Sequence, residues 1–374
     1  MVLPMTKRLP SIFFLLAIAA AGLTTGACKA EPGLKGQVGQ TVEVQAPVVD
    51  TYVLKNGNTL LFIGGAKYAH EDLSVLIPPE VAKALGDVKK LDRAEISVKG
   101  RVHLFHGHPE IHLATATDLK IVKPAHYDLE LRDIDLKGWL GLEHPAGAPT
   151  SAAERERNLA KNRPYFSTEG MHPRELDSAS FLELVRGYDK KLGLRPGEKR
   201  RNLTPQQKKT LAEMENHIVS LTGWLVVTYP GPPERTNDRS IRFHDWHMEL
   251  LAEPMDHGPG VGDPTAIICE ITPRTEGPIY RSGTRLQKLA EFIRLLDQSD
   301  QATGHPPHRV RVTGYLFWDD SHSKEPLDVG PTVQFFTKKN GYYHPWRQTA
   351  WEIHPVLKVE DLGPAAPGDA PQTF

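Results

Sequence analysis

The sequence predicts a mainly β protein with helical insertions: two five-stranded barrels in tandem, joined by a helical connector. Three observations carry this reading. Two long stretches alternate apolar and polar residues with a period of two, the signature of half-buried strands. In each stretch a helix-forming segment falls between the third and fourth strand candidates. The stretches also share short phrases, Val98-Lys99-Gly100 against Val312-Thr313-Gly314 and Glu110-Ile111-His112 against Glu352-Ile353-His354, so the second reads as an expanded duplicate of the first. Composition agrees: 374 residues exceed one ordinary core, and 31 Gly with 31 Pro favour short elements and loops.

Residues 1–27 read as a signal peptide. Lys7 and Arg8 give a positive start, Ile12 to Ala21 an apolar run too short to span a bilayer, and Thr25-Gly26-Ala27 the small residues before a cut. Leu23-Thr24-Thr25-Gly26-Ala27-Cys28 resembles a bacterial lipobox, which implies Cys28 as a lipid-modified N-terminus and a membrane partner through that anchor. Residues 28–39 are a spacer. The first barrel occupies 40–123, beginning with strand Thr41 to Val49, the turn Asn56-Gly57 and strand Thr59 to Ile63. Leu73 to Ile77 follows. Pro78-Pro79 then opens a short helix to Leu85, since proline suits a first helical turn. Ala94 to Phe105 and Glu110 to Leu113 form a hairpin around His106-Gly107-His108-Pro109, and Leu119 to Val122 ends the unit.

Three strands, a helix and a hairpin is the order of the oligonucleotide/oligosaccharide-binding (OB) barrel. The wording resembles bacterial exported OB domains of the nucleic-acid-binding type in Asn56-Gly57-Asn58-Thr59-Leu60-Leu61-Phe62-Ile63-Gly64, Val98 to Val102 and Phe105 to Ile111. The fold class is therefore two tandem OB-type barrels.

Residues 124–216 form the helical connector. Ser151 to Asn162 and Ser178 to Lys191 carry helical propensity, and Thr204-Pro205-Gln206-Gln207 combines an N-cap, a first-turn proline and a capping-box glutamine. The second barrel spans 217–360. Its strand candidates are His217 to Thr228, Ile241 to Leu251, Ala266 to Thr272, Val310 to Trp318 and Ala350 to Val359, with an amphipathic helix expected over Thr284 to Leu296. Residues 361–374, rich in Pro, Ala and Gly, read as a disordered tail. Cys269, in the apolar run Thr265 to Ile271, reads as a buried small hydrophobe.

Charge excludes a strongly phosphate-gripping molecule: 45 Lys+Arg against 46 Asp+Glu leave a formal net charge of −1. No Gly-x-Ser-x-Gly elbow, phosphate-binding loop, dinucleotide fingerprint or His-Glu-x-x-His helix is present. Chemistry must then rest on constellations. Strand alternation puts Asp245, His247 and Glu249 on one face and Trp246, Met248 and Leu250 on the other. Asp319, His322 and His354, with Glu270 and Glu352, lie on or beside other strands of that barrel. Asp245, His247, Asp319, His322 and His354 are the candidate ligands of a divalent metal such as Zn2+, which takes imidazole and carboxylate donors. The competing reading is a hydrogen-bonded network that fixes the barrel. The phrases Asp245-Trp246-His247-Met248-Glu249-Leu250, Thr313 to His322 and Trp351-Glu352-Ile353-His354-Pro355-Val356 resemble an uncharacterised group of bacterial exported OB-like proteins, a likeness that supplies no activity.

On the first barrel, Tyr52, Phe62, Tyr68 and Phe105 offer stacking surfaces, with His106 and His108 at the hairpin tip, making a candidate ligand-binding face. The function expected is an exported envelope lipoprotein facing the periplasm or cell surface, acting as a non-catalytic OB binding module. Its expected ligand is single-stranded nucleic acid, polysaccharide or another extended polymer. Alternatives are a metal-dependent hydrolase or nuclease on the Asp/His face, and a structural envelope scaffold.

Overall fold

A computed structural model describes residues 33–64, 73–126, 130–147, 149–254, 264–290, 292–293, 301–302, 306–323, 336–338, 341–343 and 347–364. The signal segment, Cys28, Tyr68 and residues 365–374 lie outside the described residues.

The first barrel contains β1 (Thr41–Val53), β2 (Thr59–Ile63), β3 (Ser74–Ile77), α1 (Pro79–Leu85), β4 (Glu95–Phe105), β5 (His108–His112) and the added β6 (Leu119–Lys123). Its strands run in the order β1-β2-β3-β5-β4, and a β1–β4 pairing closes the ring. The pair β3–β5 is parallel, the others antiparallel. Asn56-Gly57 makes the β1–β2 turn as expected. The β4–β5 turn is His106-Gly107, both with positive φ, the backbone a two-residue hairpin requires. Val44, Leu61, Ile63, Val75, Ile77, Val98, Val102 and Ile111 fill a core drawn entirely from residues 34–119.

The connector holds α2 (Leu140–Glu143), α3 (Ala152–Lys161), β7 (Arg174–Asp177), α4 (Ser178–Leu192) and α5 (Pro205–Glu215). Thr204 and Gln207 form the capping box that opens α5. The second barrel follows with β8 (Ile218–Pro230), β9 (Trp246–Leu251), β10 (Ile267–Ile271), α6 (Pro273–Arg281), β11 (Phe292–Ile293), β12 (Gln301–Ala302), β13 (His308–Trp318), β14 (Phe336–Lys338), β15 (Gly341–Tyr343) and β16 (Trp351–Pro364). Five of these close a ring in the order β8-β9-β10-β16-β13, again with one parallel pair, β10–β16. The chain therefore contains two closed five-stranded OB-type barrels.

The connector is not a solvated spacer. Phe181, Val185, Leu192, Leu203, Leu211 and Met214 share one hydrophobic cluster with Trp246, Cys269, Val312 and Trp351 of the barrel. Strand β7 pairs with β8, and Trp351 Nε1 donates to Asp189 Oδ1 on α4 at 2.7 Å. Cys269 is fully buried in this cluster, as its surroundings in the sequence imply.

Two expectations shift. Among the described residues the helix between the third and fourth strands is α6, and Thr284 to Ala290, the described start of the expected Thr284 to Leu296 helix, holds only a 3-10 turn. Gly277 and Pro278, both poor helix formers, hide α6 from a propensity reading, although Thr272-Pro273 caps it and supplies its first turn. Leu286 and Leu289 are buried instead from a short 3-10 turn, Leu286–Lys288. The last strand also reaches Pro364, entering the segment read as tail, because β13 continues alongside and His308 Nδ1 sits 2.7 Å from Asp361 Oδ1.

The phrases shared by the two stretches have a structural counterpart. A Cβ on Gly100 of β4 would stand 2.4 Å from His112 O and 2.6 Å from Ile111 Cγ2. A Cβ on Gly314 of β13 would stand 2.5 Å from Pro355 O and 2.6 Å from Ile353 Cγ2. In both barrels the fourth strand can coil against the fifth only where this position lacks a side chain.

Candidate functional site

Alternation along the second barrel divides its side chains cleanly. Trp246, Met248, Leu250, Cys269, Ile271, Trp351 and Ile353 fill the core, leaving His247, Glu249, Glu270, Glu352 and His354 on the outer face. That face is itself buried. Helix α3 supplies Arg157 and Lys161, one turn apart, and the segment 231–245 supplies Glu234, Asn237 and Asp245.

Glu270 sits at the centre. It lies opposite His247 in the antiparallel β9–β10 pair and beside His354 across the parallel β10–β16 pair, where Cys269 faces Ile353. His247 Nε2 is 3.0 Å from Glu270 Oε1, and His354 Nδ1 is 2.7 Å from Glu270 Oε2. Lys161 Nζ lies 3.4 Å from Glu270 Oε2 and donates to Glu234 Oε2 at 3.2 Å. His354 Nδ1 is also 3.2 Å from Glu352 Oε1, while Arg347 Nη1 donates to Glu352 Oε2 at 2.9 Å. Asp245 Oδ1 accepts from Asn237 Nδ2 at 2.9 Å, and its Oδ2 lies 3.8 Å from His354 Nε2.

These contacts set the charge states. Burial alone would raise the Glu270 carboxyl, yet His247, Lys161 and His354 hold it well below the usual range. Burial would lower His354, but Glu270 and Glu352 push it up to about 9. His247 moves upward for the same reason, through Glu270. Asp245 is raised, chiefly by burial. Alongside, Asp319 accepts three bonds from Arg157, from Nε at 3.2 Å and from Nη2 at 2.9 and 3.1 Å, which hold its carboxyl well below the usual range against the opposing effect of burial.

Of the five metal candidates, the structure brings Asp245 and His354 together, and the third member of their group is Glu270. Among the described residues these three place one ligand atom each within 4.8 Å of one another. His247 stands one strand further out and reaches the group only through Glu270. Asp319 is engaged by Arg157, with His322 Nε2 3.9 Å away at the rim, so neither joins the set. Strand β10, between β9 and β16, brings Glu270 into contact with both His247 and His354. Lys161 and Glu234 were missed altogether, because nothing local marks a helix-end lysine as buried.

On the equivalent outer face of the first barrel, Tyr52 and Phe105 are exposed, Phe62 and His103 half-buried, and Ser74 and Glu110 buried. One register row runs Phe62–Ser74–Glu110–His103 across β2, β3, β5 and β4. Ser74 Oγ donates to Glu110 Oε2 at 3.4 Å, and His112 Nε2 sits 2.8 Å from Glu110 Oε1. The His103 and His112 rings stack at 3.8 Å. Tyr52, 52% exposed, meets Phe62 edge-on at 5.8 Å. Phe105, 60% exposed, stands against His106 at the hairpin tip, where His108 is exposed too. The shared phrase therefore has a shared geometry. In Glu110-Ile111-His112 and Glu352-Ile353-His354 the isoleucine enters the core and the glutamate meets the histidine outside.

No protein-family model matches the chain, and no curated protein does. Solved structures with a detectable likeness include an aspartyl tRNA synthetase from Entamoeba histolytica, 14% identical over 67% of this chain and 56% of that one, with a TM-score of 0.22. Others are asparaginyl-tRNA synthetases from Pyrococcus horikoshii (11%, 58% and 49%, TM-score 0.20) and Entamoeba histolytica (10%, 57% and 49%, TM-score 0.20). The chain spans about half the length of these proteins. Likenesses this distant carry no functional reading.

Proposed function

We propose that the chain is an exported, lipid-anchored binding module whose first barrel lays a single-stranded oligonucleotide, or another extended polymer, across the strip from Tyr52 and Phe62 to Phe105. The observation carrying this reading is the contrast between equivalent faces. Among the described residues the first barrel leaves the Tyr52 and Phe105 rings exposed, while the same face of the second is filled by α3 of the connector and the 231–245 segment. Exposed aromatic rings accept flat bases with little sequence preference. Residues 40–123 carry ten Lys/Arg against ten Asp/Glu, and this balance with the Glu110 carboxylate favours ring contacts over phosphate tracking, so affinity should fall only shallowly with salt. The hydrolase alternative is disfavoured by access: Asp245, Glu270 and His354 are at most 1% exposed, leaving a substrate no approach.

Fluorescence anisotropy with labelled single-stranded DNA, RNA and glycan tests this. Phe105→Ala should weaken the bound polymer by about 1–3 kcal/mol. No binding by any of the three, or identical affinity in the variant, would remove the proposal and leave the scaffold reading. Export and anchoring rest on residues 1–28: Cys28→Ala should abolish fatty-acid labelling in cells, and unchanged labelling would discard the anchor.

A further inference from the structure

We infer that Asp245, Glu270 and His354 form a site for a divalent transition-metal ion, Zn2+ by preference, which clamps the 231–245 segment onto the outer face of the second barrel. The inference is independent of the polymer-binding reading. Its first support is an unmet need. His354 Nε2 and Asp245 Oδ2 face each other at 3.8 Å, both fully buried, and neither has a hydrogen-bond partner. Buried polar atoms in that condition are rare, and each costs about 1–3 kcal/mol when nothing occupies the gap.

The second support is the orientation of each donor by a separate group. Glu352 holds the Nδ1 edge of His354 at 3.2 Å, leaving Nε2 for the ion, and Arg347 holds Glu352; His247 holds Oε1 of Glu270 at 3.0 Å, leaving Oε2 for the ion. Asn237 holds the other oxygen of Asp245. A ligand imidazole held at its far nitrogen by a carboxylate is the usual outer support of a metal site. The spacing is close to what an ion needs. Ligands at ~2.0–2.2 Å from zinc stand roughly 3.4 Å apart, so the observed group within 4.8 Å closes by small side-chain rotations.

One imidazole with two carboxylates suits Zn2+ or Mn2+ better than Ca2+ or Mg2+, which favour all-oxygen shells. The ion takes the place of the Nε2 proton, which leaves to solvent. Lys161, 3.4 Å from Glu270, stays paired with Glu234 at 3.2 Å, so the added charge meets three carboxylates and not a lone cation. The clamped segment also touches the first barrel, where Arg93 Nη2 donates to Gly231 O at 3.5 Å.

The full mature chain, stripped with EDTA, reloaded with zinc chloride and desalted, should retain one zinc per chain by atomic emission and melt several degrees higher than the stripped form. Asp245→Asn and His354→Gln should each retain at least ~10-fold less zinc. His322→Ala, outside the group, should retain it fully. Wild type holding less than about a tenth of an equivalent, with an unchanged melting temperature, overturns the inference whatever the variants do. Loss of zinc in His322→Ala but not in Asp245→Asn overturns it as well.

Discussion

Replacing Lys161 by Met should destabilise the second barrel by about 3–5 kcal/mol, the cost of breaking a buried ion pair from one side. Lys161 has 1% of its surface exposed and meets both Glu234 and Glu270. Methionine fills much the same volume, so the loss is electrostatic: Glu270 keeps its charge among fewer partners. Urea unfolding of the metal-free chain, followed by tryptophan fluorescence, reads the effect, since Trp246, Trp318 and Trp351 lie in this core. Glu234→Gln added to Lys161→Met should restore part of the loss, because one stranded carboxylate disappears. A Lys161→Met midpoint within ~0.5 kcal/mol of wild type would mean the cluster is solvated and the burial argument wrong.

The second large effect is steric. Gly314→Ala inserts a Cβ that would stand 2.5 Å from Pro355 O and 3.0 Å from Val356 Cα, backbone atoms that cannot rotate away. Overpacking of this kind costs about 1–3 kcal/mol and sometimes more, which for a unit of this size lowers the melting temperature by roughly 5–10 °C. Gly100→Ala should do the same to the first barrel, against His112 O. Gly187, inside α4 with open space around its Cβ position, is the contrast: alanine there should be neutral or stabilising by up to ~1 kcal/mol. Equal melting of Gly314→Ala and Gly187→Ala would refute the close approach.

What the sequence discloses is what lies close along the chain. Period-two alternation places Trp246, Met248 and Leu250 inward and His247 and Glu249 outward, as the barrel has them. Asn56-Gly57, the α5 capping box and the Pro79 helix start are each spelled by a few adjacent residues, and each stands where it was expected. The centre of the buried cluster is different in kind. Glu270 becomes its hub only through a parallel pairing between strands some eighty residues apart, visible as Cys269 facing Ile353. Lys161 enters from a helix that is mostly alanine and charged residues, with Leu159 its one large apolar side chain. The helix expected over Thr284 to Leu296 fails for the converse reason. Its apolar spacing is real, but Leu286 and Leu289 serve the core from a turn, after Gly283 has ended α6.

The pairing of Gly100 with Gly314 bears on how such a chain can change over generations. In both barrels the seam between fourth and fifth strands is fixed by a backbone contact, so drift there is punished whatever the protein binds. The outer face carries no such tax. One barrel keeps its Glu-x-His pair at the rim, with His112 within reach of solvent, and the other has sealed the same pair beneath a helix and a long excursion between β8 and β9. The two barrels of this chain are therefore alike along the seam and unlike on the face. A descendant of either barrel can gain or lose a binding surface by lengthening one loop, without renegotiating the closure that makes it a barrel.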